Sequence, residues 1–218
     1  APIFLDEIIK SPEPDRTLLA LDNFVSSLKA GPAYYSTFLE NPPTARFLVK
    51  ILGESKFFTD LLIRHPQAID SLIAKGVDDD RNGRKNLESL LFERLAYSED
   101  FEDQLNVLRS FKNEQMLLIG VRHLIENSDS TLIRRQISDL AETCLAGAAE
   151  IANAEMARKF GYEQPAESLP FVIIGMGKLG GQEMTYLSDL DIIFVYEPVS
   201  DQMGKLAAHD WFSRFAGR

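Results

Sequence analysis

The sequence is poor in the residues that announce a disulfide framework or a soft-metal site. It holds a single cysteine, Cys144, so no disulfide can close within the chain and a reducing cytoplasm is the expected setting. Its three histidines, His65, His123 and His209, fall on separate predicted helices, and none is taken as a ligand or general base. No run of roughly eighteen uncharged apolar residues occurs, so no membrane span is expected. The opening APIFLDEIIKSPEPDR has no basic segment ahead of an apolar core, so it does not read as a signal peptide. Positive charge is also scarce, with 23 Lys and Arg against 33 Asp and Glu and a formal charge of −10. That balance argues against broad nucleic-acid binding, where affinity comes mostly from cations on phosphates. It does not argue against nucleotides, because a divalent metal can carry positive charge to a phosphate.

What is present is an ordinary globular composition, 45% hydrophobic and 26% charged over 218 residues, enough for one large or two modest domains. Residues 1–97 read as short helices broken by proline and glycine. Asp15 caps the first, with Leu18, Leu21, Phe24, Val25 and Leu28 recurring at helical spacing, and Gly31-Pro32 ends it. Asn41-Pro42-Pro43 starts the next, Ser55 another, and His65-Pro66 breaks into a fourth. The polar stretch 76–83 reads as an exposed loop. Two longer helices are predicted over 101–125 and 131–160, the second stopped by Gly161. The pattern then changes. Phe171-Val-Ile-Ile reads as a buried strand, followed by a glycine-rich turn, a short helical stretch near 182–186, a second strand over 189–196, and a last helix over 205–218. The expected fold class is therefore α+β and mostly α, with a small mixed sheet.

The chemistry concentrates in GMGKLGGQEMTYLSDLDIIFVYE, residues 175–197. Alternation along a strand points Asp189 and Asp191 the same way. Two carboxylates so placed in an apolar run repel each other unless a cation lies between them. Hard oxygen donors suit Mg²⁺ or Mn²⁺. Gly180 and Gly181 let the backbone approach a bulky anion, and their amides with the following helix start are phosphate donors. Ser188 adds a hydroxyl. Lys178 is either a phosphate contact or a surface lysine, and the sequence leaves that open. Glu183 reads as a helix-surface residue, and Cys144, Trp211 and Phe212 as packing residues. A lone Gly-Gly turn or a lone Asp-x-Asp is most often structural. Their succession here makes metal-assisted nucleotide chemistry the stronger reading.

Gly175-Met-Gly-Lys-Leu-Gly-Gly-Gln-Glu183 followed by Ser188-Asp-Leu-Asp-Ile-Ile-Phe194 resembles the nucleotidyltransferase signature of the DNA polymerase β superfamily. More narrowly it resembles the bacterial glutamine synthetase adenylyltransferases. The likeness extends to EDQLNVLRSFKNEQMLLIGVRHL (102–124), ISDLAETCLA (137–146) and WFSRFAGR (211–218), and to PDRTLLALDNFVSSL and FTDLLIRHPQAIDSLI upstream. The resemblance implies a helical region over 1–97 preceding a nucleotidyltransferase domain over 98–218 that is truncated at its C-terminal end. It implies Asp189 and Asp191 as catalytic metal ligands, Lys178, Gly180, Gly181 and Ser188 as nucleotide-binding residues, Mg²⁺ or Mn²⁺ as cofactor, and ATP as substrate. The implied reaction transfers AMP to a tyrosine of glutamine synthetase in the cytoplasm, with a PII-type signalling protein as a further partner and no nucleic acid or membrane. Such proteins carry two similar halves, one adding AMP and one removing it by phosphorolysis. QEMTYLSDLD is more similar to the adding half. Two departures stand out. Leu187 replaces a small residue, and the superfamily's third carboxylate lies on a later strand that this chain does not reach, which implies a fragment inactive by itself. The competing readings are the phosphorolytic half, a helical module that binds glutamine synthetase or the PII-type protein without catalysis, and a sugar-nucleotide glycosyltransferase, against which the Gly-Gly turn speaks.

Overall fold

Prolines and capping side chains set most of the helix starts. The computed structural model describes residues 2–28, 31–75, 83–126, 129–197 and 200–218. The chain divides into two compact units, one of residues 1–80 with 113–130, the other of residues 81–112 with 131–218.

The first unit is helical. It contains α1 (Pro2–Lys10), α2 (Pro14–Ser27), α3 (Gly31–Glu40), α4 (Pro42–Glu54), α5 (Lys56–Arg64) and α6 (Ala68–Lys75). Proline occupies the first turn of α2 and α4, where no N–H is needed. Ser55 caps α5 by accepting from the Phe58 amide at 3.4 Å. The central element is α4, which packs against α1, α2, α3 and α5. Its buried face, Leu48, Val49, Ile51 and Leu52, follows the helical period. Two differences from expectation have local causes. Asp15 lies inside the first turn of α2 and Glu13 precedes the helix, because Pro14 already fixes the start. Gly31-Pro32 opens α3 instead of ending a helix, since proline is tolerated only in a first turn. The loop expected over 76–83 lies, apart from Gly83, outside the described residues.

The second unit contains α7 (Arg84–Leu95), the start of α8 (Phe101–Glu126), α9 (Ser130–Phe160), β1 (Phe171–Gly175), α10 (Gly177–Gly180), β2 (Ile192–Tyr196), β3 (Gln202–Met203), β4 (Leu206–Ala207) and α11 (Ala208–Ala216). Gly161, with φ +76°, stops α9 as the sequence predicts. The α+β, mostly α class is the one expected. Among the described residues both strand pairs are antiparallel, β1 with β2 and β3 with β4, where a mixed sheet was expected. The β3–β4 hairpin turns at Gly204, φ +61°, and was not read from the sequence.

The core of this unit forms where α11 meets the sheet. Ala208, Trp211, Phe212 and Phe215 recur at helical spacing and are buried with Ala152, Met156, Leu169 and Met203. Phe171 and Tyr196 face each other in register across β1 and β2. Phe171 meets the Phe215 ring at 4.7 Å, and Tyr196 stacks on Phe212 at 4.4 Å. Each of the fully buried rings Trp211, Phe212 and Phe215 contributes about 1.5–3 kcal/mol, and the half-buried Phe171 and Tyr196 pack on them, which anchors a sheet that two strands alone would hold only marginally.

Candidate active site

The glycine-rich segment is itself a helical turn. Gly177–Gly180 forms α10 directly after β1, and residues 182–186, expected as the helix, are irregular. The reason is steric. A Cβ at Gly180 would lie 2.5 Å from the Gly175 carbonyl oxygen, so only glycine lets the turn fold back onto the strand that precedes it. The amides of Gly180 and Gly181 are engaged inside this turn, donating to Met176 and Gly177 carbonyls at 3.0 Å. By position, the amides of Gly177, Lys178 and Leu179 are the first-turn donors that lack an intrahelical acceptor. The Lys178 side chain is exposed.

The second strand begins at Ile192, three residues later than expected, so Asp189 and Asp191 precede it. The Met176 amide still donates to the Asp191 carbonyl at 2.8 Å, which continues the ladder by one rung and ties Asp191 to the residue just before α10. Its carboxylate lies over the turn, since a Cβ on Gly177 would be 2.9 Å from Asp191 Oδ2. Gly177 has φ +51°, a conformation unfavourable for other residues. Asp189, Leu190 and Asp191 are exposed.

The premise that the aspartates sit in a buried strand is thus corrected. Val172 pairs with Val195 and Ile174 with Ile193 in the register, and these four side chains are 42–52% exposed. The apolar run forms one open sheet face. The opposite face, with Phe171 and Tyr196, packs on α11. Alternation places Asp191 on the open face with Ile193 and Val195.

Ser188 is half-buried and holds a tight local turn. Its Oγ accepts from the Thr185 amide at 2.9 Å and lies 2.8 Å from Thr185 Oγ1. Between the glycine turn and this turn, Met184 is buried and its amide donates to Ser138 Oγ of α9 at 3.2 Å. Burial pushes the Tyr186 hydroxyl up to about 12, so it stays protonated. Glu183 is exposed, and no cluster of three or more His, Cys, Asp or Glu with metal-ligand geometry occurs among the described residues. On the α9 side of the turn lies a groove of about 620 Å³ whose lining includes Glu142, Glu150, Glu167, Gly180 and Gln182 but neither aspartate. Arg84 lines it too, but Glu88, Glu142, Glu150 and Glu167 outnumber that one cation, so it is not read as the nucleotide site.

The family model for glutamate-ammonia ligase adenylyltransferase matches residues 45–218, and so spans α4 through α11, including the glycine turn and both aspartates. The chain belongs to this family. Among curated members, the bifunctional glutamine synthetase adenylyltransferase/adenylyl-removing enzyme of Brucella melitensis is 32% identical over 200 residues, covering 92% of this chain and 20% of that protein. The Neisseria meningitidis (serogroup A) enzyme of the same name is 31% identical over 218 residues, covering 100% of this chain and 23% of its own length. A Rhodopseudomonas palustris enzyme, again of that name, is 29% identical over 222 aligned positions, with 100% and 22% covered. The chain therefore spans about a fifth of the length of the relatives it matches.

Three residues of this site escaped the sequence reading. Gly177, between the flanking Gly175 and the Gly-Gly pair, is the glycine that meets Asp191. Its signal was the second glycine of GMGKLGG. Gln182 has φ +56°, the single non-glycine residue at positive φ among those described, and its side chain donates to Glu142 of α9. Glu142 is also bound by Arg84 of α7. Neither partner is adjacent in sequence to the motif, and nothing in a single sequence marks them.

Proposed function

We propose that residues 171–197 form part of a nucleotidyltransferase active site, which in the full-length protein transfers AMP from ATP to a tyrosine of glutamine synthetase. The observation that carries this reading is the approach of the Asp191 carboxylate to the Gly177 turn, which sets a hard oxygen donor beside the glycine-rich turn that follows β1. Asp189 and Asp191 are hard oxygen donors, exposed and on consecutive odd positions, and Mg²⁺ is commonly held by one or two carboxylates with water and substrate phosphates completing its shell. The donor set therefore fits Mg²⁺ or Mn²⁺. When bound, such an ion supplies positive charge to phosphates that this acidic chain otherwise lacks.

The protein's own residues divide the remaining work. Gly180 and Gly181 give the turn its shape, the first-turn amides and the Lys178 ammonium face the phosphates, and Ser188 fixes the approach to Asp189 through the Thr185 turn. The open Val172, Ile174, Ile193 and Val195 face beside Asp191 leaves room for a large substrate. A cytoplasmic location and a PII-type regulatory partner belong to the same proposal, as does the division into a helical region, 1–97, and a nucleotidyltransferase piece, 98–218. Limited proteolysis that cuts near residue 97 supports that division, and cuts confined to other segments count against it.

The relatives' shared name carries both addition and removal of the adenylyl group. Removal is thus the second reading of the same site. The test is transfer of labelled AMP from ATP to glutamine synthetase by the full-length protein, run beside release of AMP groups from adenylylated glutamine synthetase with phosphate. Asp191→Asn should abolish the first and spare the second. The opposite pattern assigns the site to removal, and no effect on either refutes the site.

A further inference from the structure

The segment that joins the glycine turn to the aspartates is held from one side by α9. Ser138 and Glu142 lie four residues apart on that helix, so they project from one face about one turn apart. Ser138 is fully buried, donates to the Arg134 carbonyl at 2.9 Å, and accepts from the Met184 amide at 3.2 Å. The two Glu142 oxygens are divided between partners, Oε1 taking the Gln182 amide and Oε2 the Arg84 guanidinium. Arg84 is itself steadied by Glu88, one turn along α7, at 2.8 Å. Gln182 is the residue in the left-handed conformation, and its side chain also reaches back to the Leu179 carbonyl at 3.3 Å. The Glu183 amide closes on Lys178 O at 2.9 Å.

This arrangement has a geometric consequence. A left-handed residue directly after Gly180-Gly181 reverses the chain so that it returns toward α9 before reaching Asp189. A non-glycine residue adopts that conformation only where its surroundings fix it. Backbone bonds that close α10 hold Gln182 in it, its own amide donating to Leu179 O at 3.1 Å and the Glu183 amide to Lys178 O; Glu142 ties the Gln182 side chain to α9, and Ser138 clamps the backbone two residues on.

We propose that Glu142, with Ser138, is a positioning residue for the metal and nucleotide site. It holds Gln182 and Met184 so that the glycine turn and the aspartates keep their spacing. The proposal rests on the reading that Asp189 and Asp191 hold the divalent ion.

The test uses the full-length protein and measures the Mn²⁺ that wild type binds and Asp191→Asn does not. Glu142→Ala and Gln182→Ala should each weaken that binding about tenfold, the lower end of what loss of a ligand-orienting partner costs. The double variant should be no worse than the poorer single, because both remove one contact. KM for ATP should rise in step. Thermal melting followed by circular dichroism reports whether each variant is folded. If Glu142→Ala unfolds, Glu142→Met, of similar length but without an acceptor oxygen for the Gln182 amide, paired with Gln182→Ala carries the same comparison. Wild-type Mn²⁺ affinity in both single variants, or losses that multiply in the double, overturns the positioning role while leaving the site reading intact. If Asp191→Asn binds Mn²⁺ as wild type does, the site reading fails and the positioning role falls with it.

Discussion

Replacing Gly180 with alanine sets two effects of opposite sign against each other. Alanine is favoured over glycine in a helix by about 1 kcal/mol, so propensity alone predicts a gain. The new methyl, however, would lie 2.5 Å from the Gly175 carbonyl oxygen and close to its carbon at 3.2 Å. Both are backbone atoms of β1, so no side chain can rotate away. Relief requires α10 to lift off the strand by something under an ångström, and overpacking of this kind costs about 1–3 kcal/mol. The clash should win, leaving a net loss of up to about 2 kcal/mol, or a fall in melting temperature of up to a few degrees for a unit of this size. The control is Gly181→Ala, whose methyl would meet only the Glu183 side chain at 3.3 Å or more, and which should melt within about a degree of wild type. The assay is thermal melting followed by Trp211 emission, because Trp211 stacks on Phe215 and Phe215 touches Phe171 of β1. A Gly180→Ala protein that melts at or above wild type would refute the steric account of the motif's glycine.

Other consequences can be checked separately. In the helical unit, a methyl on Gly120 would fall inside the Phe58 ring, 1.8 Å from Cζ, so Gly120→Ala should cost about 2–3 kcal/mol in a melt followed by circular dichroism. Glu155 is buried, and hydrogen bonds from Arg158 and Lys159 hold its carboxyl down at about 2. Its folded value lies below its unfolded one, so the stability it contributes is present above about pH 4.5 and lost as pH falls toward 2. Arg158 is largely exposed, which keeps the contribution near about 1 kcal/mol. Glu155→Gln should therefore melt lower than wild type at pH 7, with the gap closing toward pH 2. Burial pushes the Cys144 thiol up to about 12, so only about one molecule in 10⁴ is thiolate at pH 8, and a thiol reagent should modify native protein far more slowly than denatured protein.

Much of the fold was legible because its signals are local. Ser55, Asn41-Pro42-Pro43 and Gly161 mark helix ends through their own backbone and side-chain preferences, and the structure places boundaries where they predict. The motif read as strand, glycine turn and second strand for the same reason. Errors arose where a local pattern has two meanings. Gly-Met-Gly-Lys-Leu-Gly reads as a turn, yet close approach to Gly175 makes it a helical turn. Ile192–Tyr196 reads as a buried strand from apolarity alone, whereas one of its faces is open, because burial depends on what packs against it and not on the run itself. The contacts through Glu142 and Ser138 were invisible, since both lie some 40 residues from the turn they hold.

The central claim is that the divalent ion sits between the Gly177 turn and the two aspartates, and paramagnetic Mn²⁺ titration read by amide NMR tests it most directly. Resonances of Met176 to Lys178 and of Ser188 to Ile192 should broaden first, and that broadening should vanish in the Asp189→Asn, Asp191→Asn double variant. Broadening that begins instead around Glu142, Glu150 and Glu167, or that persists unchanged in the double variant, would contradict the assignment.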